Sequence, residues 1–118
     1  MPSTPSRSIA SRLQDILDNI RLARRFVADL TFEDFQADER TSYAVVRCLE
    51  IISEASRNLP TDLKARHPDI PWTDMAGAGS IYRHEYHAVQ DDLIWRAVQY
   101  RLEQLRIVVE QELERLTQ

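Results

Sequence analysis

Residues 8–30 read SIASRLQDILDNIRLARRFVADL, and the fold class follows from this stretch. Ile9, Leu13, Ile16, Leu17, Ile20, Ala23, Phe26, Val27 and Leu30 recur at three- and four-residue steps. That spacing gathers them on one face of an α-helix of about six turns. Arg12, Asp15, Asp18, Arg21 and Arg25 fall on the other face, where opposite signs at helical spacing describe a solvated surface. The helix is expected to begin near Ser8, with the Pro- and Ser-rich residues 1–7 as a flexible N-terminus and residues 8–118 as one domain.

Downstream, Thr31 followed by Asp34 matches an N-terminal cap. Residues 31–36 are therefore expected to form a short turn in which Phe32 and Phe35 lid the core. A second long helix is expected from about Asp38 to Asn58. Val45, Val46, Leu49, Ile52, Ser56 and Leu59 lie on one side of it, and Tyr43, Cys48, Ile51 and Ala55 widen the stripe. Such width implies burial on two sides. Pro60 ends this helix, because proline disfavours helical geometry in the residue before it. A short helix over residues 61–67 precedes the turn Pro68-Asp69-Ile70-Pro71-Trp72. Another helix starts near Trp72, and after a loop near Val89 and Gln90, Asp91 or Asp92 caps a last helix. Its apolar face is Leu93, Ile94, Ala97, Val98, Leu102, Leu105, Val108, Val109 and Leu113. With only 2 glycines in 118 residues, the chain lacks the turn punctuation of many short strands. The expectation is an all-α, antiparallel bundle of four main helices plus short helical turns.

Fifteen basic residues against nineteen acidic ones leave a net charge of −4, so any nucleic-acid contact must be local rather than global. Lys64 is the single lysine, and arginine's planar fork suits bidentate phosphate recognition better than lysine's point charge. The lone Cys48 cannot form an internal disulfide and reads as a small core residue. No window approaches the roughly twenty apolar residues of a membrane span, and the N-terminus lacks the apolar core of a signal peptide. A cytoplasmic protein without a membrane partner is expected.

Chemistry concentrates between Trp72 and Tyr86, where both glycines of the chain lie. Each glycine costs a helix on the order of 1 kcal/mol relative to alanine, so this segment is not built for helix stability. Thr73, Gly77, Ser80 and His84 share one narrow sector at 100° per residue. They describe either a groove for a phosphate or partner helix, or tight packing around an interior histidine. Arg83 adds a permanent cation. Tyr86 shares a side with His84 only where the backbone is extended. An imidazole can take the 2′-hydroxyl proton of RNA or protonate the leaving oxygen, and a guanidinium can stabilise the charged phosphorane.

The stretch Ile70-Pro71-Trp72…Ala76-Gly77…His84-Glu85-Tyr86…Val89…Ile94-Trp95, with Leu49-Glu50-Ile51-Ile52-Ser53-Glu54-Ala55 and Phe35 upstream, resembles the HepT-like branch of the HEPN domains. The resemblance covers about Arg12 to Leu105. It implies an all-helical, dimeric RNase toxin paired with a minimal nucleotidyltransferase (MNT) antitoxin. It also implies a site of an arginine, four to six residues, and then His-x-Tyr. His84 and Tyr86 take the last two roles, and Tyr86 is the hydroxyl on which the MNT partner would place AMP. Family members usually carry Arg-Asn where this chain has Gly79-Ser80. Arg83 lies four residues after Gly79, about 40° round the helix and about 6 Å along it, and helical side chains lean toward the N-terminus. The expected arrangement is a relocated cation: Arg83 fills the space that Gly79 leaves, Ser80 substitutes for the amide, and Gly77 completes the groove.

Glu54 is expected to orient Arg83, Arg57 or His84, and no metal or cofactor site is expected. Glu50 and Glu54 with a histidine could be imagined as metal ligands, but the Glu-x-x-His pairs of di-metal bundles are missing. His67 and His87 read as surface residues, and Arg57 and Arg66 as solvated charge or phosphate contacts. Trp72 and Trp95 read as anchors, one at the start of each of two consecutive helices. Two rivals to the nuclease stand: a catalytically inactive RNA- or nucleotide-binding module, and a bundle that mediates only protein contacts.

Overall fold

A computed structural model describes residues 5–73 and 87–118, with side chains from Ile9 to Thr73 and from Asp91 onward. The described residues are helical throughout their regular elements: α1 (Pro5–Val27), α2 (Phe32–Ala37), α3 (Glu39–Arg57), α4 (Thr61–Ala65), α5 (His87–Arg96), a π-helical turn (Ala97–Arg101) and α6 (Leu102–Leu116). The all-α expectation holds. The helix expected to run on from Trp72 lies almost wholly outside the described residues, with residues 72 and 73 helical.

α1 starts three residues earlier than Ser8, at Pro5, a residue whose fixed φ suits the first turn of a helix. Its stripe of Leu13, Ile16, Leu17, Ile20, Ala23 and Val27 is buried. α1 packs on α3 along one side and α6 along the other. Phe26 is half-exposed, outside the stripe. Across the α1–α6 seam, Arg24 meets Glu103 at 2.8 Å, and Arg106 of α6 holds Glu103 at 2.5 Å and Glu110 at 2.6 Å.

Residues 32–37 form a helix rather than the expected turn. The Thr31 hydroxyl accepts from the Asp34 N–H at 3.1 Å, and the Asp34 carboxylate accepts from the Thr31 N–H at 3.1 Å. This reciprocal box satisfies two amides that a helix start otherwise leaves unpaired. The helix drives Phe35 fully into the core. Asp38 then caps α3 through the backbone and hydroxyl of Thr41, and these hydrogen bonds hold its carboxyl below the usual range. α3 buries Val45, Cys48, Leu49, Ile52, Ser53, Ala55 and Ser56. Tyr43 departs from the expectation: it is 69% exposed and does not widen the buried stripe. Cys48 is a core residue as expected, and burial pushes its thiol pKa up.

No loop separates residues 89 and 90 from the last helical stretch; α5 already runs from His87. Trp95 sits near its C-terminal end, not at its start, with ring centroids 5.8 Å from Phe32 and 5.5 Å from Phe35. After α5 the helix widens. The Leu102 N–H reaches back five residues to the Ala97 carbonyl, which inserts one extra residue into the turn. Gln99, Tyr100 and Arg101 all stay outside, and Leu102 returns to the core. The wider turn redirects the apolar stripe: α5 packs on α2 and α3, whereas α6 packs on α1.

Candidate functional site

The residues that carry the expected chemistry, Gly77, Gly79, Ser80, Arg83, His84 and Tyr86, lie outside the described residues, as does the side chain of His87. The structure instead shows what holds the two ends of that segment. At its upstream end the Trp72 indole N–H donates to the Lys64 and His67 carbonyls, at 3.1 and 3.0 Å. These carbonyls belong to the last turn of α4 and the residues after it; each also accepts a backbone N–H, from His67 and Ile70 respectively, so the indole fills a second acceptor site on both and ties Trp72 to the α4 end. Ile70 is buried beside it, and Gln104 of α6 donates to the Asp69 carbonyl at 3.4 Å.

The α4 end is itself clamped to α6. Glu112 is 3% exposed. Arg66 donates to it twice, Nη2 to Oε1 at 2.7 Å and Nε to Oε2 at 3.3 Å, and His67 Nε2 lies 2.5 Å from Oε2. Burial alone would raise the Glu112 pKa, but the hydrogen bonds from Arg66 and His67 prevail and hold it below the usual range. Arg66 lies at the surface as expected, but its guanidinium is committed to a buried carboxylate; His67, expected as a surface residue, is half-buried against the same group. The sequence signal for this cluster was Glu112 itself, an acid three and four residues after Val109 and Val108 on an apolar face.

At the downstream end the described residues resume with α5 at His87. Ser42 of α3 donates to Asp91 Oδ1 at 3.4 Å, and Ile94 and Trp95 then fasten α5 to the core and to α2. Trp72 and Trp95 are thus both anchors, but to α4 and α2 respectively and not to each other.

Of the partners expected for Glu54, Arg57 is the one described: the two form an ion pair on the exposed face of α3. Asn58 Nδ2 also donates to Glu54, at 3.3 Å. Glu50 takes Arg47 at 3.6 Å. Elsewhere, an open cleft of about 310 Å³ lies between the end of α1 and the π turn, lined by Arg24, Val27, Leu30, Trp95, Val98 and Gln99. No helix among the described residues is long and apolar enough to cross a membrane.

The family model of HepT-like ribonucleases matches residues 16–112. Curated relatives include the "Probable ribonuclease HepT" of Thermococcus cleftensis, 41% identical over 100 residues that make up 85% of this chain and 91% of that one. The "Putative RNase MJ0127" of Methanocaldococcus jannaschii is 37% identical over 94 residues, 80% of this chain and 78% of that one. A further relative from Caldanaerobacter subterraneus, "Putative RNase TTE0752", is 34% identical over 103 residues, 87% of this chain and 92% of that one. No solved structure gives a significant match.

Proposed function

Because the chain belongs to the HepT-like ribonuclease family, we propose that it is a metal-independent endoribonuclease and the toxin of a toxin–antitoxin pair. The observation that carries this reading is the family match over residues 16–112, a span that contains Arg83, His84 and Tyr86. His84 removes the 2′-hydroxyl proton of the substrate; the 2′-oxygen attacks phosphorus and the 5′-oxygen leaves with a proton returned to it. Arg83 stabilises charge on the phosphorane. Tyr86 positions the substrate. It also receives AMP from ATP, with release of pyrophosphate, when an MNT-type nucleotidyltransferase silences the toxin. A homodimer brings two such sets of residues to one cleft.

The anchors support this assignment of roles. Trp72 and α5 fix the ends of the thirteen-residue stretch 74–86 between two packed elements, and catalytic groups need supports of this kind to hold their geometry. A second reading is favoured by one observation, Gly79-Ser80 in place of the family's Arg-Asn. It describes an inactive module that keeps RNA or nucleotide binding and the partner interface.

Cleavage of RNA by wild type, Arg83→Ala and His84→Ala, each with and without EDTA, separates the two. The nuclease reading expects EDTA-insensitive cleavage by wild type. Loss of a positioned acid–base group should slow it about 10²- to 10⁴-fold in His84→Ala. Equal rates in all three proteins remove both residues from the mechanism, and binding without cleavage favours the inactive module. Intact mass after co-expression with an MNT protein tests the antitoxin claim: an added AMP lost in Tyr86→Phe supports it, and an unchanged wild-type mass overturns it.

A further inference from the structure

We infer that the outer face of the first half of α3, made of Arg40, Tyr43 and Arg47, is a binding track for single-stranded RNA. The inference rests on the nuclease reading above and adds to it where the substrate lies. Its first observation is Tyr43. A tyrosine 69% exposed on a helix whose other apolar residues are buried or partly buried presents an unused aromatic face, and such faces stack nucleobases of any sequence.

The second observation is what flanks it. At 100° per residue, Arg40, Tyr43 and Arg47 fall within about 60° of one another, and Arg40 and Arg47 are about 10.5 Å apart along the axis. That length is about three phosphate steps of a stacked strand, at roughly 3.4 Å each. Arg40 forms no ion pair among the described residues. It lies near enough to help hold Asp38 charged, but that carboxylate is turned to Thr41. Arg47 is 72% exposed, and its contact with Glu50, at 3.6 Å, is long. Glu50 is itself mostly covered, but so long a contact holds an exposed guanidinium weakly, so a phosphate can share Arg47. Farther along the same face the charge is committed, since Glu54 holds Arg57. The cationic, aromatic part is thus confined to the first two turns.

The third observation is what leaves this face open. Ser42, which donates to Asp91 of α5, lies about 100° round the helix from Tyr43 and about 140–160° from Arg40 and Arg47. α5 therefore packs on a different side of α3, and Tyr43 and Arg47 stay exposed. A protein partner is the weaker fit, because the patch has one aromatic ring between two guanidinium groups and no apolar centre.

The test measures binding of a fluorescein-labelled, mixed-sequence 2′-O-methyl RNA, which cannot be cut, by anisotropy at several salt concentrations. Wild type, Tyr43→Ala, Tyr43→Phe and Arg40→Ala/Arg47→Ala are compared with Arg25→Ala/Arg101→Ala, which removes two exposed charges elsewhere. Tyr43→Ala should weaken binding roughly 5- to 140-fold while Tyr43→Phe stays near wild type. The stripe double variant should flatten the salt slope by about 1.4, and the control should not. Wild-type affinity and slope in the stripe variants overturn the track, even where cleavage by wild type upholds the nuclease. An altered oligomeric state with unchanged RNA affinity also overturns it and makes the face a contact between copies. No RNA binding by wild type removes both readings.

Discussion

Arg66 and Glu112, 46 positions apart in sequence, meet through two parallel N–H···O bonds of 2.7 and 3.3 Å. The carboxylate is almost wholly buried, whereas the guanidinium keeps one side in water. Arg66 takes α4 to α6, His67 takes the second lone pair of the same oxygen, and the His67 carbonyl takes Trp72. A chain of contacts therefore runs from the last helix to the residue that opens the proposed catalytic segment.

The two ends of this pair should respond differently to substitution. Glu112→Gln removes the charge, keeps the shape and lets Arg66 return to solvent; the expected loss is about 1–3 kcal/mol. Arg66→Leu strands a buried carboxylate with His67 as its main support, and uncompensated buried charge is the costlier defect. Urea unfolding should rank Arg66→Leu below Glu112→Gln and both below wild type. Two variants as stable as wild type would show that the cluster does not hold the α4 end.

Acid should loosen the α1–α6 seam. Hydrogen bonds from Arg106, then Arg24, hold the Glu103 pKa at about 2 instead of 4.5. A carboxylate with a depressed folded-state pKa contributes stability above its unfolded pKa and loses it as pH falls toward the folded value. Melting temperature should therefore decline from about pH 4.5 toward pH 2, and the decline should shrink in Glu103→Gln. The pair is exposed, so added salt should also shrink it. An identical acid profile in Glu103→Gln would count against this assignment.

The π turn predicts an unusual tolerance. Tyr100 is 74% exposed within it, and the turn contains one residue more than an α-helix needs. Deleting Tyr100 should convert the turn to α-helix with α5 and α6 still facing their partners. Deleting Ile107, inside α6, rotates everything after it by about 100° and turns Val108, Val109 and Glu112 away from their places. Circular dichroism should show a cooperative melt for the first deletion and a large loss of stability for the second. Equal damage from both would refute the extra-residue account.

The long helices were legible because their burial follows a period that sequence displays directly. Leu13 to Val27 and Val45 to Leu59 each repeat it over several turns. Tyr43 misled because its apolar ring groups it with the stripe, whereas at 100° per residue it falls about 180° from Ile52, on the face of α3 opposite the core. The capping box gave away the start of α2, yet not that six residues suffice for a helix there; Phe35 packing against Trp95, far along the chain, decides that. The π turn escaped because the four-residue steps from Ile94 to Val98 to Leu102 also fit an ordinary helix. Of the candidate site, Glu54 with Arg57 was readable at i, i+3. The grip of Arg66 and His67 on Glu112 was not, since it joins residues that only the tertiary fold brings together.

Cys48 is the single thiol of the chain, sealed in α3 and disfavoured as a thiolate by its surroundings. Thiolate, not thiol, reacts with alkylating reagents, so the native protein is nearly silent toward them. Labelling speed then reads out how often the interior opens, which gives every variant above a built-in clock without any engineered reporter.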